Sequence, residues 1–164
     1  MTDALELLAT RLDVVDLLHA YCRAVDDNDP DAVAALFTQD CVYATSRGRN
    51  GVTRGRGAVA ERVALLLSTF SATSHHVTNA VVTPESADRA LSVCSLYAWH
   101  RFLDDRPDGL LWARYHDVVV RTADGWRIAE RTLRVHGQQD FPFGWLPPEP
   151  PRGGPRGPSA QRSA

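Results

Sequence analysis

The sequence predicts a single α+β domain in which three helices pack on one side of a curved antiparallel sheet. In the first part of the chain, apolar residues recur at steps of three and four, which is typical of amphipathic helices. From residue 74 the period changes to two, which is typical of strands with two different faces. Beyond residue 141 the sequence is rich in proline, so we expect a domain over 1–141 and a C-terminal tail over 142–164, with 147–164 disordered.

The first predicted helix spans residues 3–26. One face of it carries apolar residues from Leu5 to Val25, and the run DDNDPD then ends it. Asp29 can cap a second helix that has Pro30 at its first position, because a side-chain oxygen there accepts from a free backbone N–H group. The helical part of the chain therefore begins with two consecutive helices.

A short strand is predicted at 41–46, after the second helix. The glycine- and arginine-rich stretch 46–57 indicates a loop, with room for a short strand near Val52. The next segment, 58–70, has helical periodicity and is the third predicted helix. One strand therefore lies among the three helices.

The second half of the domain is predicted to be a meander of four strands. A tight turn over 123–125 joins the last two strands, and a wider loop over 104–109 joins the two longest. The predicted strands are 74–83, 90–103, 110–121 and 126–136.

Composition excludes several classes of function. All 18 basic residues other than histidine are arginine, so a lysine Schiff base and a lysine-bearing phosphate loop are absent. The net charge is −2, and the arginine-glycine loop lacks interleaved aromatic residues, so we expect no nucleic-acid partner. The chain has no GxSxG, HExxH, GxGxxG or Walker motif, and we expect no cofactor.

The three cysteines, Cys22, Cys41 and Cys94, are far apart and have no CxxC spacing. We interpret them as buried free thiols and expect neither disulfides nor a metal site. The N-terminal residues carry acids within their apolar pattern, which is not typical of a signal peptide, and no apolar run is long enough to span a membrane. A cytoplasmic protein without a membrane partner is the expectation.

Candidate chemistry begins with the strand TSHHVTNAVV, in which His75 and His76 must point to opposite faces. Both faces of this strand are mixed, so the period alone leaves open which histidine points inward. On the next predicted strand lies His100, an even number of positions from His76, which permits both rings to reach one concave face. Two imidazoles in one cavity are harder to explain as packing than one, because each needs a partner when buried.

Asp26 lies at the end of the first helix, next to its apolar face, and could reach the mouth of a cavity. A carboxylate that accepts from a histidine N–H group fixes the tautomer of the ring and raises the basicity of its other nitrogen. Asp26 and His76 would then form a general acid–base pair. The tyrosines, each more simply explained by packing, could also donate to a ligand oxygen; they are Tyr21, Tyr43, Tyr97 and Tyr115.

The segments YCRAVDDNDPDAVAALFTQDCVY, HHVTN and GWRIAERTLR together resemble the SnoaL-like branch of the nuclear-transport-factor-2-like superfamily over about residues 5 to 137. The resemblance implies a cone-shaped α+β barrel whose curved sheet wraps an apolar pocket. It also implies site residues like those of the dehydratases of the superfamily: Asp26, Tyr21, His76 and His100, with Tyr115 on the following strand. On this basis His76 is expected to point inward and His75 outward. The chain departs from the pattern of a fungal dehydratase of this superfamily at Val25, where the fungal enzyme has tyrosine. Tyr43 lies only close to the position of a second tyrosine in that pattern.

The resulting hypothesis is a cofactor-free dehydratase, isomerase or cyclase that acts on a small apolar carbonyl or polyol compound. His76 and Asp26 would move the proton, and His100 with Tyr21 or Tyr43 would hold the oxygen. The alternative is a non-catalytic ligand-binding module or subunit, such as the small subunit of a ring-hydroxylating dioxygenase. Tyr97 and Trp99 on the opposite face of the sheet fit an interface, and a homodimer or homotrimer is expected under either hypothesis.

Overall fold

Three helices precede most of the sheet in the computed structural model, which describes residues 4–45 and 51–141. α1 spans Ala4–Asp26, α2 spans Pro30–Ala35 and α3 spans Arg56–Leu67. Asp29 caps α2 as predicted, because its Oδ1 atom accepts from the backbone N–H of Ala32 at 2.8 Å. The predicted tail over 142–164 and residues 46–50 of the predicted loop lie outside the described residues.

Six strands form one curved, unclosed sheet, and the predicted α+β class is confirmed. Their order across the sheet is β2-β1-β6-β5-β4-β3, so β2 and β3 are the edge strands. All pairs are antiparallel except β1 with β6, which is parallel, so the sheet is mixed and not purely antiparallel as predicted. The strands are β1 Phe37–Ala44, β2 Val52–Arg54, β3 Phe70–Ser86, β4 Arg89–Phe102, β5 Gly109–Thr122 and β6 Gly125–Gln139.

The core lies between the helices and the inner face of the sheet. On β4 the even-numbered residues from Ala90 to Phe102 are buried, and on β5 the odd-numbered residues from Leu111 to Val119 are buried. α1 crosses this face and makes its main contacts with the edge strand β3. The last turn of α1 is thereby held beside β3, which places a helix terminus at the rim of the concave face. None of the helices in the described ranges combines the length and apolar character needed to cross a membrane.

Candidate active site

The concave face of the sheet encloses a cavity of about 60 Å³. This volume is roughly four to six times the smallest cavity volume that holds one water molecule, so the cavity suits a small ligand. Its walls are mostly leucine, valine and phenylalanine side chains, with polar groups from α1, β1, α3, β3, β4 and β5. A mostly apolar hollow with a few convergent polar groups is typical of small-molecule sites. Of the sequence-predicted residues, four line it: Tyr21, Tyr43, His100 and Tyr115.

Asp26 and His75 form a hydrogen-bonded pair at the cavity wall. The Nδ1 atom of His75 lies 2.7 Å from Oδ1 of Asp26, and the backbone N–H of His75 donates to Oδ2 at 2.8 Å. Thr73 donates its hydroxyl to Oδ1 at 2.9 Å. Because an ionised carboxylate can only accept, Nδ1 of His75 carries the proton and Nε2 of the neutral ring has the free lone pair.

The three hydrogen bonds also decide the charge of Asp26. Burial opposes ionisation of this side chain, but the bonds from the ring and backbone of His75 and from Thr73 outweigh it and lower the pKa of the carboxyl group. The carboxylate is therefore ionised over the whole neutral range. Because β3 is an edge strand, Asp26 also occupies a backbone N–H that would otherwise lack a strand partner.

The expectation that His76 points inward and His75 outward is wrong. His76 is exposed on the outer face, where its Nε2 atom lies 3.0 Å from the hydroxyl of Ser74 and its ring lies 6.2 Å from that of Tyr97. His75 lines the cavity, and the centre of its ring lies 5.1 Å from that of His100. Two imidazoles do share the concave face, but they belong to His75 and His100 and not to His76 and His100.

The physical reason is the register of the hairpin formed by β3 and β4. A two-residue turn follows Ser86, so residues that lie directly opposite each other are an odd number of positions apart. Bulges between Thr78 and Val81 and between Pro84 and Ser86 each add one residue on β3, and together they restore this odd spacing. Thr73 therefore lies opposite His100, and His75 lies opposite Ala98. The even spacing of His76 and His100 in fact places these two histidines on opposite faces.

His100 is almost fully buried and neutral. Burial, followed by the nearby His75, lowers its pKa to about 3, although a hydrogen bond to the backbone of Gly109 opposes this shift. The rings of Phe70 and Phe141 lie 4.7 Å and 4.8 Å from the imidazole. A neutral His100 adds no positive charge to the site, so it can contribute only hydrogen bonding and shape near neutral pH.

Three tyrosines form another polar part of the cavity wall. The hydroxyl oxygens of Tyr21 and Tyr43 lie 3.2 Å apart, and the ring of Tyr115 packs edge-on against Tyr21 at 5.6 Å. Burial, and then the neighbouring Tyr21, raises the pKa of both Tyr43 and Tyr115 well above the usual value for a phenol. The phenols of Tyr43 and Tyr115 keep their protons and can serve as hydrogen-bond donors to a ligand oxygen.

Behind the tyrosines lies a buried ion pair that the sequence analysis missed. Arg131 on β6 donates to both carboxylate oxygens of Asp117 on β5, at 2.9 Å and 2.7 Å, and neither side chain is exposed to solvent. The guanidinium carbon of Arg131 lies 4.1 Å from the ring centre of Tyr21 and 4.0 Å from that of Tyr115. The cation therefore holds two tyrosines of the cavity wall by cation–π contact.

Asp117 could have been found from the sequence. It lies two positions from Tyr115 on the same strand, so its side chain points to the same inner face of the sheet. Arg131 was hidden by a bulge: the register of β5 and β6 shifts between Val118 and Val119. Counting in steps of two from the buried residues Trp126 and Ile128 therefore puts Arg131 on the wrong face.

The cysteines have no visible part in this site. All three are buried free thiols, and burial raises the pKa of Cys22 to about 12 and that of Cys94 to about 11. Within residues 4–45 and 51–141, no group of three or more histidine, cysteine, aspartate or glutamate side chains is arranged to hold a metal ion. The polar side chains that line the cavity carry imidazole, phenol, hydroxyl and guanidinium groups, and the carboxylate of Asp26 is hydrogen-bonded to one of the imidazoles.

Comparison with known proteins identifies a family and the same fold. The SnoaL-like domain model matches residues 6–132. The uncharacterized protein Rv2910c of Mycobacterium tuberculosis is 31% identical over 127 residues, which cover 76% of this chain and 84% of that protein. The described relatives thus extend over most of the folded part of the chain.

Solved structures extend the comparison. A candidate scytalone dehydratase from Novosphingobium aromaticivorans superposes with a TM-score of 0.84 at 27% identity, over 90% of this chain and 98% of that one. A candidate aromatic ring hydroxylase from the same species gives 0.71 at 30% identity, over 77% and 88%. The hexachlorocyclohexane dehydrochlorinase LinA-type3 from Novosphingobium barchaimii gives 0.74 at 20% identity, over 84% and 93%, which shows the shared fold alone.

Proposed function

Because the chain belongs to the SnoaL-like domain family, as the resemblance in its sequence indicated, we propose that it is a cofactor-free enzyme of the lyase or isomerase type. Its substrate would be a small, largely apolar carbonyl compound or polyol. The observation that carries this proposal is the Asp26–His75 pair, whose free Nε2 atom belongs to a ring that lines the cavity. A structural neighbour assigned as a candidate scytalone dehydratase supports the dehydratase form of the reaction.

The proposed reaction begins with proton removal by His75. Its Nε2 atom takes a proton from a carbon next to the substrate carbonyl, and Asp26 stabilises the imidazolium that forms. The electron pair of the broken C–H bond moves into the carbonyl, whose oxygen becomes the enolate oxygen. This oxygen accepts a hydrogen bond from Tyr43 or Tyr21, which requires the phenols to be protonated, as burial makes Tyr43.

The second step returns the proton. In a dehydration the imidazolium of His75 protonates a departing β-hydroxyl group, the C–O bond breaks and water leaves. In an isomerisation the substrate carries a C=C bond next to the carbon that lost its proton, so the enolate is extended; the same proton goes to its far carbon, the C=C bond moves next to the carbonyl and the C=O bond re-forms. Tyr115 and the neutral His100 add further polar groups to the cavity wall in either case, and the apolar side chains around them exclude water from the intermediate.

Hydrogen–deuterium exchange tests the first step without knowledge of the natural substrate. A panel of small hydroxyketones in D₂O, followed by NMR, should show enzyme-catalysed exchange at the carbon next to the carbonyl. His75→Ala should lower the exchange rate by about 10²- to 10⁴-fold. His76→Ala is the matched control, because this adjacent histidine lies on the outer face, and it should exchange at the wild-type rate. Equal rates in His75→Ala and wild type would refute the proposed base.

A second candidate function is a non-catalytic module that works through the outer face of the sheet. Two large aromatic residues are 40% and 41% exposed there, Tyr97 and Trp112, and their rings lie 5.9 Å apart. Exposed aromatic pairs are typical of contact surfaces, and a second copy of the chain is the partner proposed to bind this face. Sedimentation of wild type and Trp112→Glu tests this: a dimer or trimer that becomes a monomer supports the contact, and a monomeric wild type excludes it.

A further inference from the structure

A glycine and a phenylalanine from distant positions meet beside His100 at the cavity wall. Gly109, the first residue of β5, lies directly opposite His100 on β4. A Cβ atom placed on Gly109 would lie 2.8 Å from Cδ2 of Phe141 and 3.1 Å from Cε2 of Phe102. The absence of a side chain at Gly109 thus creates a notch beside His100, and the ring of Phe141 occupies it.

The backbone before Phe141 is shaped to place its ring there. The pairing of β5 with β6 extends to Leu110 opposite Gln139, and Asp140 then adopts a φ of 49°. This left-handed conformation is uncommon for residues other than glycine, although aspartate tolerates it better than most. The chain turns at Asp140, and the buried Phe141 points back over the inner face.

Phe141 thereby covers one side of His100. The ring centre of Phe141 lies 4.8 Å from that of His100, and the ring centre of Phe70 lies 4.7 Å from that of His100. Both phenylalanines line the cavity, whereas Phe102, which also contacts the notch, is not part of the lining. The ring of Phe141 is therefore part of the cavity wall, next to His100.

We propose that Phe141, seated in the Gly109 notch, limits the length of the ligand and shields His100 from water. The inference rests on the proposed function, because it limits the substrate of that reaction to compact molecules that fit in the cavity without contacting the space occupied by Phe141. A longer ligand would have to displace an aromatic ring from a packed position, which costs the burial energy of that ring. Phe141 is thus a specificity-determining residue.

Binding of straight-chain 2-alkanones of increasing length, measured by calorimetry on the full chain, tests the length limit. Wild type should bind more tightly with each added methylene until a cut-off length and then lose affinity. Phe141→Ala should move the cut-off to a longer chain and bind the first ketone beyond it at least about tenfold more tightly than wild type does, since each buried methylene contributes roughly fourfold. Gly109→Ala, whose methyl group would push the ring out of the notch, should also move the cut-off away from its wild-type length.

Titration of His100 by NMR tests the shielding. The titratable groups that act on its ring are His75 on β3 and Asp26 at the end of α1. Phe141→Ala should raise the pKa of His100 by about one unit or more, because water would reach the ring. His116 on the outer face should titrate unchanged and serves as the internal control.

Phe102→Leu is the matched variant for both measurements, because it alters a buried ring that contacts the same notch without lining the cavity. If Phe141→Ala does not fold, Phe141→Leu and Gly109→Ala supply the same comparison. An unchanged cut-off in the Phe141 and Gly109 variants, or an equal effect of Phe102→Leu, would overturn the proposal. Neither measurement requires turnover, so a failure of the proposed catalysis would leave this inference standing, and the reverse also holds.

Discussion

Asp26 and His75 are 49 positions apart in the chain, yet Oδ1 of the carboxylate and Nδ1 of the imidazole lie 2.7 Å apart. The end of α1 meets the edge strand β3 at this point, and the same carboxylate accepts from a backbone N–H of that strand. One side chain thus orients the proposed base and fastens a helix to the sheet. Changes at Asp26 should therefore affect both activity and stability.

Replacement of Asp26 by asparagine should lower turnover by about 10²- to 10⁴-fold, because the amide cannot stabilise an imidazolium as a carboxylate does. It should also lower the free energy of unfolding at pH 7 by about 1 to 3 kcal/mol, since one of its two carboxylate acceptors becomes a donor. Urea denaturation measures the second effect.

The pH dependence of this loss follows from the lowered pKa of Asp26. The stabilisation by the carboxylate is complete above 3.8, the ordinary value for the group, and is lost as the pH falls through the lower folded value. The difference between wild type and Asp26→Asn should therefore shrink in strong acid. The neighbouring exposed Asp27 provides the control, and Asp27→Asn should resemble wild type throughout.

Replacement of Tyr43 by phenylalanine should lower kcat by about 10- to 100-fold and leave the fold intact, because only one hydroxyl in contact with Tyr21 is removed. A larger effect on kcat than on KM would show that the hydroxyl acts mainly in the transition state. Tyr97→Phe on the outer face is the matched control. A Tyr43→Phe enzyme with unchanged kcat would remove this hydroxyl from the proposed mechanism.

His100 should make the protein sensitive to mild acid. Its pKa is 6.5 in an unfolded chain and about 3 in the folded protein, so between these values the unfolded state binds a proton that the folded state does not. The free energy of unfolding should fall as the pH decreases from 6.5 towards 3, by about 1.4 kcal/mol for each unit of pH at most. Urea denaturation at a series of pH values should show this slope in wild type and a weaker slope in His100→Phe. Equal slopes would mean that His100 is not the responsible group.

Removal of one partner of the Arg131–Asp117 ion pair should lower the free energy of unfolding far more than replacement of both partners by apolar residues. Arg131→Met leaves a buried carboxylate without its partner and should lower the free energy of unfolding by about 3 to 5 kcal/mol. The double variant Arg131→Met with Asp117→Leu buries no charge and should recover much of that stability.

Activity of the double variant separates two roles of the pair. If Arg131 orients Tyr21 and Tyr115 through its contacts with their rings, the double variant should be stable but show a reduced kcat. Full activity in the double variant would mean that the ion pair serves folding alone.

Local periodicity was sufficient to predict most elements of the fold. The three helices and the four long strands occur near their predicted places, because apolar spacing reports directly on which side of an element is buried. The cap formed by Asp29 followed from local chemistry. The parallel pairing of β1 with β6 was not predicted, because it joins segments that are distant in the chain and carry no local mark of their partner.

Which residues meet in the candidate site depends on the register of β3 against β4, and this register cannot be read from the spacing of residues in the sequence. Tyr21, Tyr43, His100 and Tyr115 line the cavity, but the choice between His75 and His76 required the length of a turn and the number of bulges. A family pattern aligned one position away gave the wrong histidine, because two identical residues stand side by side. The predicted roles of all these residues stay predictions until activity is measured.

The bulge at Asn79, which has a φ of 53°, gives this hairpin an unusual liability. Regular pairing of β3 with β4 through this point, with no residue left over, would slide the first part of β3 by a single step and exchange the two neighbouring imidazoles between solvent and interior. This slipped register would put His76 in the place of His75 beside Asp26 and would turn the other inward side chains of that strand segment outward. Adjacent identical residues offer no protection against such a slip, since the imidazole would survive while the packing around it would not.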